Sequence, residues 1–150
     1  MRIRQATIAD VEGLARLLWL DTLAEDPDPG SVTAFATDLT TWWAGHQDTH
    51  FGFIAQHGEQ DIVGMAWVAL LARIPRPGAT CRACADIQTV YVEPQHRGRG
   101  IDSALVNAAA GHAEHAGAVR VTVHSGRAAV AMYERLGFAS TRQLLQRTHR

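Results

Sequence analysis

The segment 90–105, Val-Tyr-Val-Glu-Pro-Gln-His-Arg-Gly-Arg-Gly-Ile-Asp-Ser-Ala-Leu, limits what this 150-residue chain can fold into more than any other. A β-branched stretch stops at Pro94, an Arg/Gly-rich turn follows, and an apolar helical pattern begins at Ile101. Consecutive unpaired backbone N–H groups then point outward at a helix N-terminus, which makes an anion cradle.

Residue type narrows the anion. A nucleotide-triphosphate loop needs a Lys for the outer phosphates, and all fourteen basic residues here are Arg. The dinucleotide fingerprint needs a third Gly three residues after the second, where Ser103 stands. What remains is Gln-x-x-Gly-x-Gly, carried by Gln95, Gly98 and Gly100 at a strand-to-helix junction. This resembles the acyl-coenzyme A pyrophosphate loop of the GNAT family of N-acetyltransferases. Downstream, Val119–His124 reads as a buried strand, and Ala128–Phe138 as a short helix stopped by Gly137. Its Met-Tyr-Glu-Arg-Leu-Gly-Phe stretch is similar to the family's second signature, so the resemblance runs over residues 85–139.

Composition agrees with one domain over residues 1–150. At 47% hydrophobic, a chain of this size buries roughly 70% of its unfolded surface. The net charge of −1 leaves no electrostatic footprint for nucleic acid. No apolar run approaches the ~18 residues of a membrane span, and the N-terminal residues lack a signal-peptide core. The expectation is a cytoplasmic enzyme without nucleic-acid or membrane partners; homodimerisation is left open. Without Lys, self-acetylation at a Lys side chain is excluded. Cys81 and Cys84 form the lone Cys pair and read as two reduced structural thiols, since a zinc site needs two further ligands. No metal site is expected.

Along the chain, residues 1–5 read as a strand, and Thr7 as an N-cap with Asp10 at the third helical position, leading a helix with Val11, Leu14, Leu17 and Leu18 inward. Residues 25–30 break it, and Ser31 opens a second helix to Gly45. Strands 51–56 and 62–71 form a hairpin around Gly58. A Pro/Gly loop over 73–80 precedes strand 85–92, helix 100–116, strand 118–124, helix 127–136 and a final strand 138–146. That last strand is cramped, because only twelve residues follow Phe138, and the expectation is that it is short or absent. The fold class is therefore α/β, and the resemblance implies a GNAT-like mixed central sheet flanked by helices, with a shortened C-terminal strand region.

The resemblance also implies roles. Acetyl-CoA would be the co-substrate, and a small-molecule or peptide amine the acceptor, in a direct ternary-complex acyl transfer. Backbone N–H groups from Arg97 through Gly98, Arg99, Gly100 and Ile101 to Asp102 would bind the pyrophosphate, with the Arg97 and Arg99 side chains adding charge. The family's strand before the loop splays from its neighbour, which would free Val90, Tyr91 and Val92 for the pantetheine and acyl carbonyl. The Val92 N–H is the expected oxyanion donor. Tyr133 would protonate the departing thiolate.

Strand alternation puts Asp86, Gln88, Val90 and Val92 on one face, making Asp86 the expected base and His124 the runner-up. His112 and His115, three apart on an Ala-rich helix, read as solvent-facing. Two positions depart from the family pattern. Asp102 stands where a small residue is common and opposes an anion, and Gly126 stands where an Asn commonly touches the cofactor, which passes that contact to Ser125. Trp19, Asp21, Glu25, Asp26, Asp28, Trp42 and Trp43 occupy the region that in the family shapes the acceptor site, where acids and aromatics suit a cationic amine. The other reading, which the residues favour, is a solvated acidic loop over buried Trp side chains. The alternative to an enzyme is a non-catalytic acyl-CoA-binding regulatory module on the same fold.

Overall fold

A computed structural model describes residues 1–149. Its elements are β1 (Arg2–Gln5), α1 (Val11–Leu23), α2 (Pro29–Ala44), β2 (His50–His57), β3 (Asp61–Arg73), β4 (Arg82–Val92), α3 (Ile101–His115), β5 (Ala118–Val123) and α4 (Val130–Arg135). The strands lie in the order β1-β2-β3-β4-β5. The first three pairings are antiparallel and β4–β5 is parallel, which makes the sheet mixed.

Period-two alternation in the strands sends side chains to two cores. On one face Phe53, Ala55, Ala66 and Val68 meet the apolar stripe of α3, made by Ile101, Leu105, Val106, Ala109 and Ala113. Gly64 lets that helix come close, since a Cβ there would lie 3.1 Å from Leu105 Cδ1. On the other face Ile54, Met65 and Trp67 meet Leu14 and Leu17 of α1 and Leu39 and Trp43 of α2. The loop between β4 and α3 is thus anchored from both faces of the sheet.

Local signals explain the helix starts. The Thr7 N–H donates to Asp10 Oδ2 at 2.8 Å, and Arg4 clamps the same carboxylate with bonds of 2.8 and 2.7 Å. A 3-10 turn over Ile8–Asp10 intervenes, so the α-helix itself begins at Val11. The second helix begins at Pro29 rather than Ser31, because Asp28 is the N-cap and accepts from the Ser31 N–H at 3.0 Å.

Three expectations are corrected. No strand forms over 138–146. The described residues after Phe138 turn at Gln143, whose N–H donates to Thr141 Oγ1, and leave Leu144 and Leu145 exposed. Twelve residues rich in Arg, Gln and Thr cannot supply the apolar alternation for an added strand. His112 is not solvent-facing: its ring packs 4.3 Å from Phe51 and 5.5 Å from Phe53, on the sheet side of α3. The strands flanking the Pro/Gly loop also extend further than expected, β3 to Arg73 and β4 from Arg82; Cys84 therefore lies in β4, opposite Leu71. Both cysteines are free thiols.

Candidate active site

The site forms where β4 stops pairing with β5. Their last paired residues are Ile87 and Val123, and beyond them the strands diverge. On the opposite edge β4 stays bonded to β3, where the Glu93 N–H donates to the Val63 carbonyl at 2.9 Å. With Val92 opposite Gly64 and Tyr91 opposite Met65, antiparallel alternation commits Tyr91 to β3 and turns the N–H groups of Val90 and Val92 into the gap. Backbone donation into the gap thus falls to Val90 and Val92, whereas Tyr91 offers its ring.

A bulge in β4 changes which side chains share a face. Trp67 pairs with Thr89 but Val68 with Ile87, so Gln88 is the extra residue. Val90 and Val92 consequently join Ala85 and Ile87 in the core under α3. The expected common face of Asp86, Gln88, Val90 and Val92 does not exist: Asp86 points to the opposite side, exposed, and accepts from Thr122 Oγ1 at 3.1 Å. One inserted residue reverses the parity.

The Gly-rich loop follows. Gly98 and Gly100 hold φ of 73° and 76°, a region that costs other residues steric strain. Nothing lies within 4 Å of a Cβ built at either position. None of the backbone N–H groups from Gly98 to Asp102 donates to another described residue. The next one, on Ser103, donates to Asp102 Oδ1 at 2.8 Å. The loop therefore presents an open, positively polarised cradle that fits a pyrophosphate. His96 Nδ1 is buried without a partner beside it. Arg97 is exposed at the cleft and folds back on the strand end: its Nε donates to the Val92 carbonyl at 2.8 Å, and its guanidinium lies 5.5 Å from the Tyr91 ring centre.

The loop opens into a cleft of about 1270 Å³, lined by β4, the loop, α4 and the end of α1. A smaller cavity of about 260 Å³ lies in the splay, between Ile87–Val90 and Val123–Gly126. Val90, Tyr91, Val92, Arg97, Gly98, Ile101 and Asp102 line the large cleft, and His124 and Ser125 the small one. Arg99 and Gly100 line neither, and neither does Asp86.

Tyr133 lines both cavities and is 7% exposed. Its ring meets Phe138 edge-on at 5.4 Å, which orients it. Burial raises the phenol pKa above its ordinary value, and the negative charge of Asp102 raises it further. The hydroxyl is therefore held protonated at neutral pH. Of the acceptor-side residues, Asp21, Glu25 and Asp26 line the large cleft. The aromatic ones do not: Trp43 is core, with Nε1 donating to the His50 carbonyl, and Trp42 stacks on His46 at 4.1 Å.

Sequence reasoning missed the anchor of the loop. Glu93, 6% exposed, pairs with Arg16 of α1 and accepts from Gln95 Nε2 at 2.8 Å. An acid closing an apolar strand directly before a proline was the available signal.

The sequence of residues 11–138 matches the family model described as the acetyltransferase (GNAT) family. No curated protein matches the chain significantly. Among solved structures, an acetyltransferase from Trypanosoma brucei superposes with a TM-score of 0.77 at 21% identity, covering 99% of each chain. A ribosomal-protein-alanine N-acetyltransferase from Brucella melitensis has a TM-score of 0.73 at 22% identity, covering 100% of this chain and 99% of its own. A predicted acetyltransferase with acetyl-CoA from Clostridium acetobutylicum has a TM-score of 0.70 at 18% identity, covering 98% and 95% respectively. With the family model spanning the cradle, the splayed strands and the buried tyrosine, the chain belongs to the GNAT acetyltransferase family.

Proposed function

We propose that this protein transfers the acyl group of acetyl-CoA to a primary amine, on a small molecule or a peptide N-terminus, by direct attack in a ternary complex. The observation that carries the reading is Tyr133: a buried, protonated phenol shared by the cavity at the strand splay and the cleft that begins at the anion cradle. Acetyl-CoA supplies an activated thioester. The amides of Gly98 to Asp102 hold its pyrophosphate, with Arg99 near the loop's outer surface adding charge. The Val92 N–H, facing the gap, polarises the acyl carbonyl, and Val90 and Ser125 flank the pantetheine. Tyr133 gives its proton to the departing thiolate. The acids at the end of α1 favour a cationic amine. The likeness to a ribosomal-protein-alanine N-acetyltransferase supports a peptide terminus as one acceptor class.

The test is acetyl-CoA turnover with a panel of amines, compared between wild type and Tyr133→Phe. Loss of turnover in the variant, with retained acetyl-CoA binding, is expected. Acetyl-CoA binding by wild type without turnover of any amine supports instead a non-catalytic acyl-CoA-binding module.

A further inference from the structure

We propose that Asp21, in the last turn of α1, is the carboxylate that takes the proton from the incoming amine. The assignment rests on the transferase reading above and names a group within it. Four residues line both the large cleft and the small cavity: Asp21, Val90, Ala129 and Tyr133. Only Asp21 and Tyr133 among them carry a titratable side chain, so the junction of the cavities holds one carboxylate and one phenol.

The other candidates are placed elsewhere. Asp86 borders neither cavity and is bonded to Thr122. His124 borders only the small cavity and stands on the β5 side; like Asp21 it is exposed, so its position and not its exposure sets it apart. Glu93 is occupied by Arg16 and Gln95. Glu25 and Asp26 lie farther along on Asp21's own side and border only the large cleft, while Asp102 acts on Tyr133. Asp21 makes neither an ion pair nor a side-chain hydrogen bond to a described residue, which leaves its oxygens available to an amine.

Its environment suits a base. The cleft wall desolvates the carboxyl and raises its pKa above the ordinary carboxylate value, against the charge of Arg97 across the cleft, which lowers it. A carboxylate with a raised pKa is a stronger proton acceptor. An ammonium group gives one proton to Asp21, and the neutral nitrogen then attacks the thioester carbonyl, forming the C–N bond. As the C–S bond breaks, the sulfur takes the proton of Tyr133. The second proton leaves the nitrogen through water and restores the phenol, and Asp21 releases its own to solvent.

The experiment measures coenzyme A release by wild type, Asp21→Asn, Asp21→Glu and Asp86→Asn. The acceptors are phenethylamine, 1,4-diaminobutane and a peptide beginning with alanine, from pH 5 to 10, beside thermal unfolding with acetyl-CoA. Asp21→Asn is expected to lower kcat by about 100-fold while keeping the acetyl-CoA thermal shift. Its rate should climb with pH toward the range where the amine is itself neutral, and Asp21→Glu should recover part of the loss. Asp86→Asn should stay within about twofold of wild type. An active wild type with Asp21→Asn equally active and unchanged in pH profile overturns this assignment alone. A wild type that turns over no acceptor overturns the transferase reading and the assignment together.

Discussion

The ion pair between Arg16 and Glu93 ties α1 to the cofactor loop, and cutting it should be felt in both stability and acetyl-CoA affinity. The Glu93 side chain is 8% exposed and the Arg16 side chain 40% exposed. Removing one partner of a fully buried pair costs about 3–5 kcal/mol, because the other charge is left without compensation. Water reaches the Arg16 side, and Gln95 keeps one hydrogen bond to the carboxylate, so the expected cost of Arg16→Met falls to about 2 kcal/mol. For a chain of this length that lowers Tm by about 4–8 °C. Adding Glu93→Gln removes the orphaned charge, so the double variant should recover at least half of the loss. Thermal and urea unfolding of the four proteins of the cycle give the coupling. Because Gln95 hangs from the same carboxylate, the KM for acetyl-CoA should rise in Arg16→Met while Tyr133 chemistry is untouched. A double variant as unstable as the sum of its singles, or an Arg16→Met protein within about 0.5 kcal/mol of wild type, would refute the anchor.

Saturating acetyl-CoA at about a hundred times its Kd should add about 2.7 kcal/mol, raising Tm by about 5–10 °C. Gly100→Glu, which puts a carboxylate and a strained φ beside the cradle, should abolish that shift. Tyr133→Phe should reduce kcat by about 10²–10⁴-fold and leave the acetyl-CoA thermal shift in place. Arg4 hydrogen bonds hold the Asp10 carboxyl below its usual pKa, so its stabilisation is complete above the unfolded value near 4 and is lost as pH falls through the lower folded value. The stability gap between wild type and Asp10→Asn, measured by urea unfolding from pH 7 to 2, should therefore close in acid. Leu105→Ala, at a position with no exposure beneath Gly64, should cost about 2–5 kcal/mol.

Much of this protein is written locally. The strand that ends at Pro94, the two glycines and the apolar start of α3 depend on backbone preference and short-range pattern, so the anion cradle can be read from the residues alone. The same holds for the helix ended at Gly137, which carries Tyr133, and for the order of strands and helices up to residue 136. What local pattern could not carry was the parity of β4. The bulge at Gln88 arises from pairing with β3, a partner distant in sequence, and it moves Asp86 away from Val90 and Val92. Residue counting assumes an unbroken ladder and cannot see an extra residue in one strand. The ion pair of Arg16 with Glu93, and the arrival of Asp21 at the junction of two cavities, likewise need α1 to dock on the far side of the sheet. His112 turned to the sheet for the same reason: its neighbours Phe51 and Phe53 come from β2. Sequence periodicity determines which face of an element is apolar, but only tertiary packing decides which charged groups that docking brings together.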